Sequence, residues 1–167
     1  MKTIICSIAL FSLLLMGIAH ANEQASFGNQ VSAVKNYNRA TSQIATSGVI
    51  GEGVQELAAH GFKTIIDLRT EAEGTLEEKL AVEAAGMRYI NIPVTGAGIN
   101  KTQLAAFTKA MEATQTPVLV HCASGNRAGA LWATYRMSKG VSPAIALEEG
   151  RTAGMNEAME ANVKAAM

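Results

Sequence analysis

Residues 117–140 read PVLVHCASGNRAGALWATYRMSKG, and their punctuation divides them into three pieces. Pro117 introduces the apolar run Val118 to Val120, whose length suits a buried strand. Gly125 then lets the backbone curl tightly, and from Arg127 an alanine- and leucine-bearing stretch runs with helical character to a glycine stop at Gly140. A strand, a tight loop and a helix make the repeating unit of a parallel α/β sheet.

The same alternation continues on both sides of this segment. Upstream, QIATSG (43–48) reads as a short strand and GEGVQELAAHG (51–61) as a helix ended by Gly61. FKTIIDL (62–68) is a buried strand by its length and isoleucine pair. Thr75, with Glu78 three residues on, fits a capping box opening a helix whose apolar side is Leu76, Leu80 and Val82. MRYINIPV (87–94) is a further strand, followed by the loose turn TGAGIN (95–100), and Asn100 caps the helix KTQLAAFTKAMEA (101–113). Downstream, Ser142 and Pro143 open a helix as cap and first-turn proline, and MNEAMEANVKAAM (155–167) is helical. The fold class that follows is α/β, a central, mostly parallel sheet flanked by helices.

The chain has 167 residues. Lys2, the apolar run Ile4 to Ile18 and the site Ala19-His20-Ala21 have the pattern of a cleaved signal peptide over residues 1–21. The run is shorter than a membrane span, so export to the periplasm or medium is expected rather than anchoring. Residues 22–40 are polar with weak periodicity and read as an N-terminal lead-in, leaving 41–167 as one domain. The 14 basic and 14 acidic side chains balance, and the loss of Lys2 shifts the net charge to about minus one. Such a balance advertises neither nucleic acid nor a membrane surface.

Cys6 leaves with the signal, so Cys122 remains as a lone thiol in a compartment that favours oxidation. It sits at the end of a strand, where open α/β sheets gather their ligands. The loop residues Ala123, Ser124, Gly125 and Asn126 lead into a helix whose first amides lack partners and carry partial positive charge, an anion cradle. Those amides and Arg127 favour the thiolate, and the guanidinium can present a planar fork to an oxyanion. Burial as an inert small hydrophobe is the plain alternative for Cys122. His121 is expected to orient the loop and tune the thiol.

Taken together, PVLVHCASGNRAGALWA, GVQELAAHGFKTIIDLRTEAE and GMRYINIPV resemble the phosphatase-like domain of the bacterial beta-lactamase hydrolase-like family, a branch of the dual-specificity protein tyrosine phosphatase superfamily. The resemblance covers roughly residues 38–155. It implies a protein tyrosine phosphatase-like fold, a nucleophile at Cys122, an anion-binding arginine at Arg127 and binding amides from Ala123 through Asn126.

Two departures from that pattern stand out. Four residues separate Cys122 from Arg127, where the superfamily usually has five; the hexad CASGNR resembles the active-site loop of rhodanese-like sulfurtransferases. The stretch IPVTGAGIN (92–100) also lacks the carboxylate that phosphatases use to protonate the leaving group. Asp67, Glu71 and Glu73, at and after the end of an earlier strand, are the candidates to replace it. Arg69 could widen the positive rim, although a surface or salt-bridged role is the default for such a residue. His60 reads as complementing a helix C-terminus, Met155 and Met159 as core, and Trp132 and Tyr135 as packing against the sheet.

No zinc-type spacing exists and no metal or other cofactor is expected. Three functions remain open. They are a phosphatase-like hydrolase acting through Cys122, a sulfurtransferase carrying a persulfide there, and a non-catalytic anion- or partner-binding module. The expected partner is a small anionic substrate, or a sulfur donor and acceptor; nucleic acid and stable membrane insertion are not expected.

Overall fold

The computed structural model describes residues 31–167, so the expected signal peptide lies outside the described residues. Its strands are β1 (Asn38–Arg39), β2 (Ile44–Ser47), β3 (Thr64–Asp67), β4 (Arg88–Asn91) and β5 (Val118–His121). Its helices are α1 (Val54–Ala59), α2 (Thr75–Ala84), α3 (Lys101–Ala113), α4 (Asn126–Ser138), α5 (Pro143–Thr152) and α6 (Glu157–Ala165). The sheet order is β1-β2-β5-β3-β4, with β1 antiparallel to β2 and the other pairs parallel. The mostly parallel, helix-flanked sheet expected from the alternation is therefore the architecture observed.

β5 lies at the centre, bonded to β2 on one edge and β3 on the other. All four of its residues are buried, which is why VLVH reads as a continuous run rather than an alternation. Successive side chains still part to opposite faces. Leu119 joins Ala45, Ile65, Leu57 and Val82 in one core layer, beneath α1 and α2. Val118 and Val120 join Ile66, Phe107 and Leu131 in the other, beneath α3 and α4. A third cluster, including Ala130, Leu147, Met155, Met159 and Val163, holds α5 and α6 against the outer side of α4.

Contact between α4 and α5 depends on missing side chains. A methyl group built at Gly129 would sit 2.4 Å from the Met155 nitrogen and 2.5 Å from the Gly150 carbonyl oxygen. The α4 backbone can approach α5 this closely only because Gly129 and Gly150 carry none.

Three local readings change. Residues 31–39 belong to the domain rather than to a lead-in, because Val31 and Val34 are buried in the first core layer and β1 extends the sheet. The T-x-x-E box occurs twice, in TEAE (70–73) and TLEE (75–78), and the first copy is the one that caps: the Thr70 amide and hydroxyl both donate to Glu73 Oε2, at 2.8 and 3.0 Å. α2 instead starts from Gly74 in a left-handed conformation without a side-chain cap. Released from capping, Glu78 turns inward with Val82. Leu76 and Leu80, expected on the apolar side, are 67% and 58% exposed.

Candidate active site

Cys122 follows the last residue of β5, and the backbone after it is held from outside. The Cys122 amide donates to the Ser47 carbonyl at 3.3 Å, and the Ala123 carbonyl accepts from the Val49 amide at 3.1 Å. The Ser124 carbonyl accepts from Asn36 Nδ2 at 3.0 Å. In a planar trans peptide the N–H points opposite the C=O. Tying the Ala123 and Ser124 carbonyls outward therefore turns the amides of Ser124 and Gly125 inward. The Gly125 amide does reach the sulfur, donating to Cys122 Sγ at 3.1 Å.

Gly125 has φ +96°, a left-handed conformation that favours glycine, and it is the N-cap of α4. Its carbonyl accepts the Gly129 amide at 2.9 Å, the first bond of the helix. No side chain caps this end. The amides of Asn126, Arg127 and Ala128 precede that first bond, so they make up the unpaired positive end of a 13-residue helix. This is the chemistry that binds an oxyanion.

Arg127 turns toward the loop, with its side chain only 13% exposed. Nη1 donates to the Val94 carbonyl at 2.8 Å and to Glu73 Oε2 at 2.9 Å, while Nη2 donates to Glu73 Oε1 at 2.6 Å. Glu73 therefore grips the guanidinium with both oxygens. Hydrogen bonding to Arg127 first, with help from Thr70, holds the Glu73 carboxyl at about 2. Glu73 in turn, followed by the neighbouring Cys122 sulfur, raises Arg127 despite its partial burial. The pair borders a cleft of about 650 Å³ whose walls also include Thr70, Thr95, Ser124, Asn126, Asn156 and Met159. Cys122 has no exposed surface, although its loop neighbours Ser124 and Asn126 line the cleft.

The remaining acid candidates go elsewhere. Glu71 is exposed and forms no wall of the cleft. Asp67 is fully buried behind the loop, where it takes the Arg69 Nε and Nη2 hydrogens and the Tyr89 hydroxyl at 2.7 Å. Burial raises its carboxyl, but the bonds from Arg69, the charge of His121 and the Tyr89 hydroxyl outweigh it and leave the group below its ordinary value. Burial and the same bond push the Tyr89 phenol up.

Arg69 thus sits in the interior and not on the positive rim, with Nη2 at 2.8 Å from both Asp67 Oδ2 and Glu78 Oε2. His121 faces this rear network, its Nε2 at 2.8 Å from Glu78 Oε1 and 3.6 Å from Asp67 Oδ1. Asp67, Glu78 and His121 bring three potential metal ligands within 4.8 Å of one another. A guanidinium already supplies the positive charge between the two carboxylates, so the cluster fits an internal ion network better than a dication.

Sequence reasoning missed Glu78 and Tyr89 behind the loop, and Thr95, Asn156 and Met159 around the cleft. Glu78 was hidden by its second, equally valid reading as a cap. Asn156 and Met159 lie on the far C-terminal helix and its cap, and no local pattern ties them to Cys122. His60 does complement its helix end, with Nδ1 at 2.8 Å from the Glu56 carbonyl. Met155, Met159 and Trp132 are core. No helix among the described residues is long and apolar enough to cross a membrane.

Comparison with known proteins gives these features a context. The family of the beta-lactamase hydrolase-like protein, phosphatase-like domain, matches residues 36–139. The beta-lactamase hydrolase-like protein of Agrobacterium fabrum is 42% identical over 81 residues, which are 46% of this chain and 19% of that protein. Its counterpart in Xylella fastidiosa is 38% identical over 88 residues, 50% of this chain and 20% of that protein. The chain therefore spans about a fifth of the length of the curated relatives it matches. Among solved structures, a Neisseria meningitidis protein with a provisional phosphatase assignment superposes with a TM-score of 0.68 at 25% identity, covering 78% of this chain and 97% of its own. TpbA of P. aeruginosa, solved with pTyr, gives 0.65 at 20% identity over 87% of this chain and 89% of its own, a likeness of fold alone. With all five described strands and the Cys122 loop inside the matched span, the chain belongs to the phosphatase-like domain family of the beta-lactamase hydrolase-like proteins, a family of phosphatase-like hydrolases with the protein tyrosine phosphatase fold.

Proposed function

We propose that this chain is a cysteine-dependent phosphatase for small phosphate monoesters. The Cys122 sulfur attacks phosphorus, forming the S–P bond as the ester O–P bond breaks, and the departing oxygen takes a proton from water. A second water then attacks phosphorus, releasing inorganic phosphate and returning the electron pair to the sulfur. Arg127 and the amides of Ser124 and Asn126 bear the charge that builds on the non-bridging oxygens. The observation that carries this reading is the Gly125 amide donating to Cys122 Sγ at the uncapped, positive start of α4. A donor to sulfur stabilises its anionic form.

The loop 95–100 carries no carboxylate, and Asp67 is spent behind the site. General-acid help is commonly worth about 10² to 10⁴ in rate, so substrates whose leaving group needs no proton are favoured. Aryl phosphates are of this kind and alkyl phosphates are not.

The test compares wild type with Cys122→Ser on p-nitrophenyl phosphate under reducing conditions. Phosphate release present in the first and lost in the second supports the proposal; equal rates overturn it. The six-residue loop favours a second reading, sulfur transfer through a persulfide on Cys122. Thiocyanate formed from thiosulfate and cyanide, without phosphate release, would select it. From the signal-like pattern of residues 1–21 we further propose that this activity lies outside the cytoplasm. Fractionation of expressing cells checks that, and the protein recovered uncleaved in the cytosol would refute it.

A further inference from the structure

Glu73 is bound where a substrate anion would be. Its two oxygens take Arg127 Nη1 and Nη2 at 2.9 and 2.6 Å, the two-point fork by which a guanidinium receives an oxyanion. It does so from a built position, because the Thr70 amide and hydroxyl fix Oε2 from the other side. The Cys122 sulfur, a neighbour of Arg127, has no exposed surface of its own. Glu73 itself keeps about a third of its surface, with a side-chain exposure of 32% against 13% for Arg127. It can swing outward without disturbing the core.

We propose that Glu73 is a specificity-determining residue, an internal anion that competes with substrate for Arg127 and admits only ligands able to outbid a tethered carboxylate. This deepens the phosphatase reading and rests on its anion site. A planar monoanion offers Arg127 no more than Glu73 already gives, and it loses translational freedom on binding, which the tethered side chain does not. A tetrahedral dianion also reaches the unpaired amides at the start of α4. The site thereby selects phosphate monoesters over diesters and carboxylates. Acid does not release the latch in ordinary conditions, since Arg127 and Thr70 keep Glu73 ionised down to about pH 2.

The experiment uses the full chain, kept reduced, and needs no turnover. Inorganic phosphate is titrated calorimetrically into wild type and Glu73→Gln, which retains an oxygen for the Thr70 amide. Hydrogen bonds to charged groups contribute about 1.5–3 kcal/mol, so phosphate should bind the variant roughly 10- to 100-fold more tightly. Acetate titrated alone should give measurable binding to Glu73→Gln and none to wild type. Unchanged or weaker phosphate binding in the variant overturns the proposal and makes Glu73 a mere support for Arg127; equal acetate binding by both proteins also overturns it. If Glu73→Gln does not fold, Thr70→Val carries the test, with tighter phosphate binding expected and unchanged or weaker binding counting against. Failure of the phosphatase reading shows separately, as tighter phosphate binding by Glu73→Gln in a protein that hydrolyses no ester.

Discussion

Two guanidinium–carboxylate assemblies flank the Cys122 loop, and they differ in what they can give up. Behind it, Arg69 lies between Asp67 and Glu78 with side-chain exposures of 7%, 0% and 8%, and His121 closes the group. In front, Arg127 and Glu73 form a similar pair that solvent can reach. Breaking a buried pair strands a charge where water cannot follow, while an exposed partner exchanges one set of bonds for another. The rear assembly therefore acts as framework and the front one as a socket.

The largest effect expected from this contrast is on catalysis without loss of fold. Arg127→Ala should lower the rate on p-nitrophenyl phosphate by about 10²- to 10³-fold, the usual result of removing a donor to a developing oxyanion. Its urea unfolding midpoint should stay near that of wild type. A parallel collapse of stability would erase the distinction between socket and framework. The complementary change, Glu78→Ala, takes one of two buried carboxylates from Arg69 and the nearer one from His121, and should cost about 1–3 kcal/mol in the same urea experiment. Gly129→Ala should come next. Its added methyl group meets the Met155 nitrogen at 2.4 Å, and such overpacking costs about 1–3 kcal/mol.

Titration sharpens the comparison further. In the free protein, the Glu73 side-chain carbon resonance should titrate near pH 2 rather than the ordinary 4.5. With phosphate bound in its place on Arg127, the midpoint should rise toward the ordinary value. For both carboxylates the lowered folded value means stability fully present above the unfolded pKa, and lost as pH falls through the folded one. That window lies below 4.5 for Glu73 and below 3.8 for Asp67, so neither pair weakens between pH 5 and 8. The smallest effect belongs to Leu80→Gln on the exposed side of α2, within about 0.5 kcal/mol of wild type, as for other exposed positions.

Much of this molecule is legible in its sequence because the signals are local. Val118–Val120, Gly125 and the helix after it declare strand, turn and anion-binding end within a dozen residues. Parallel strands around β5 follow from the alternation. Partners that meet across the fold leave no such mark. Glu78 and Glu73 each stand three residues after a threonine, and only the packed structure tells the inward acid from the cap. Tyr89 reads as a strand residue like any other, yet its hydroxyl completes the Asp67 network from 22 positions away. The cleft wall from Asn156 and Met159 depends on α6 folding back over α4, which the glycine contact between α4 and α5 makes possible.

That Cys122 has no accessible surface bears on its durability. Peroxide and small disulfides attack thiolates they can touch. A sulfur without surface is spared while its surroundings stay closed and becomes vulnerable only in the moments when they open, so its rate of oxidative damage should scale with how often that happens as well as with how much oxidant surrounds it.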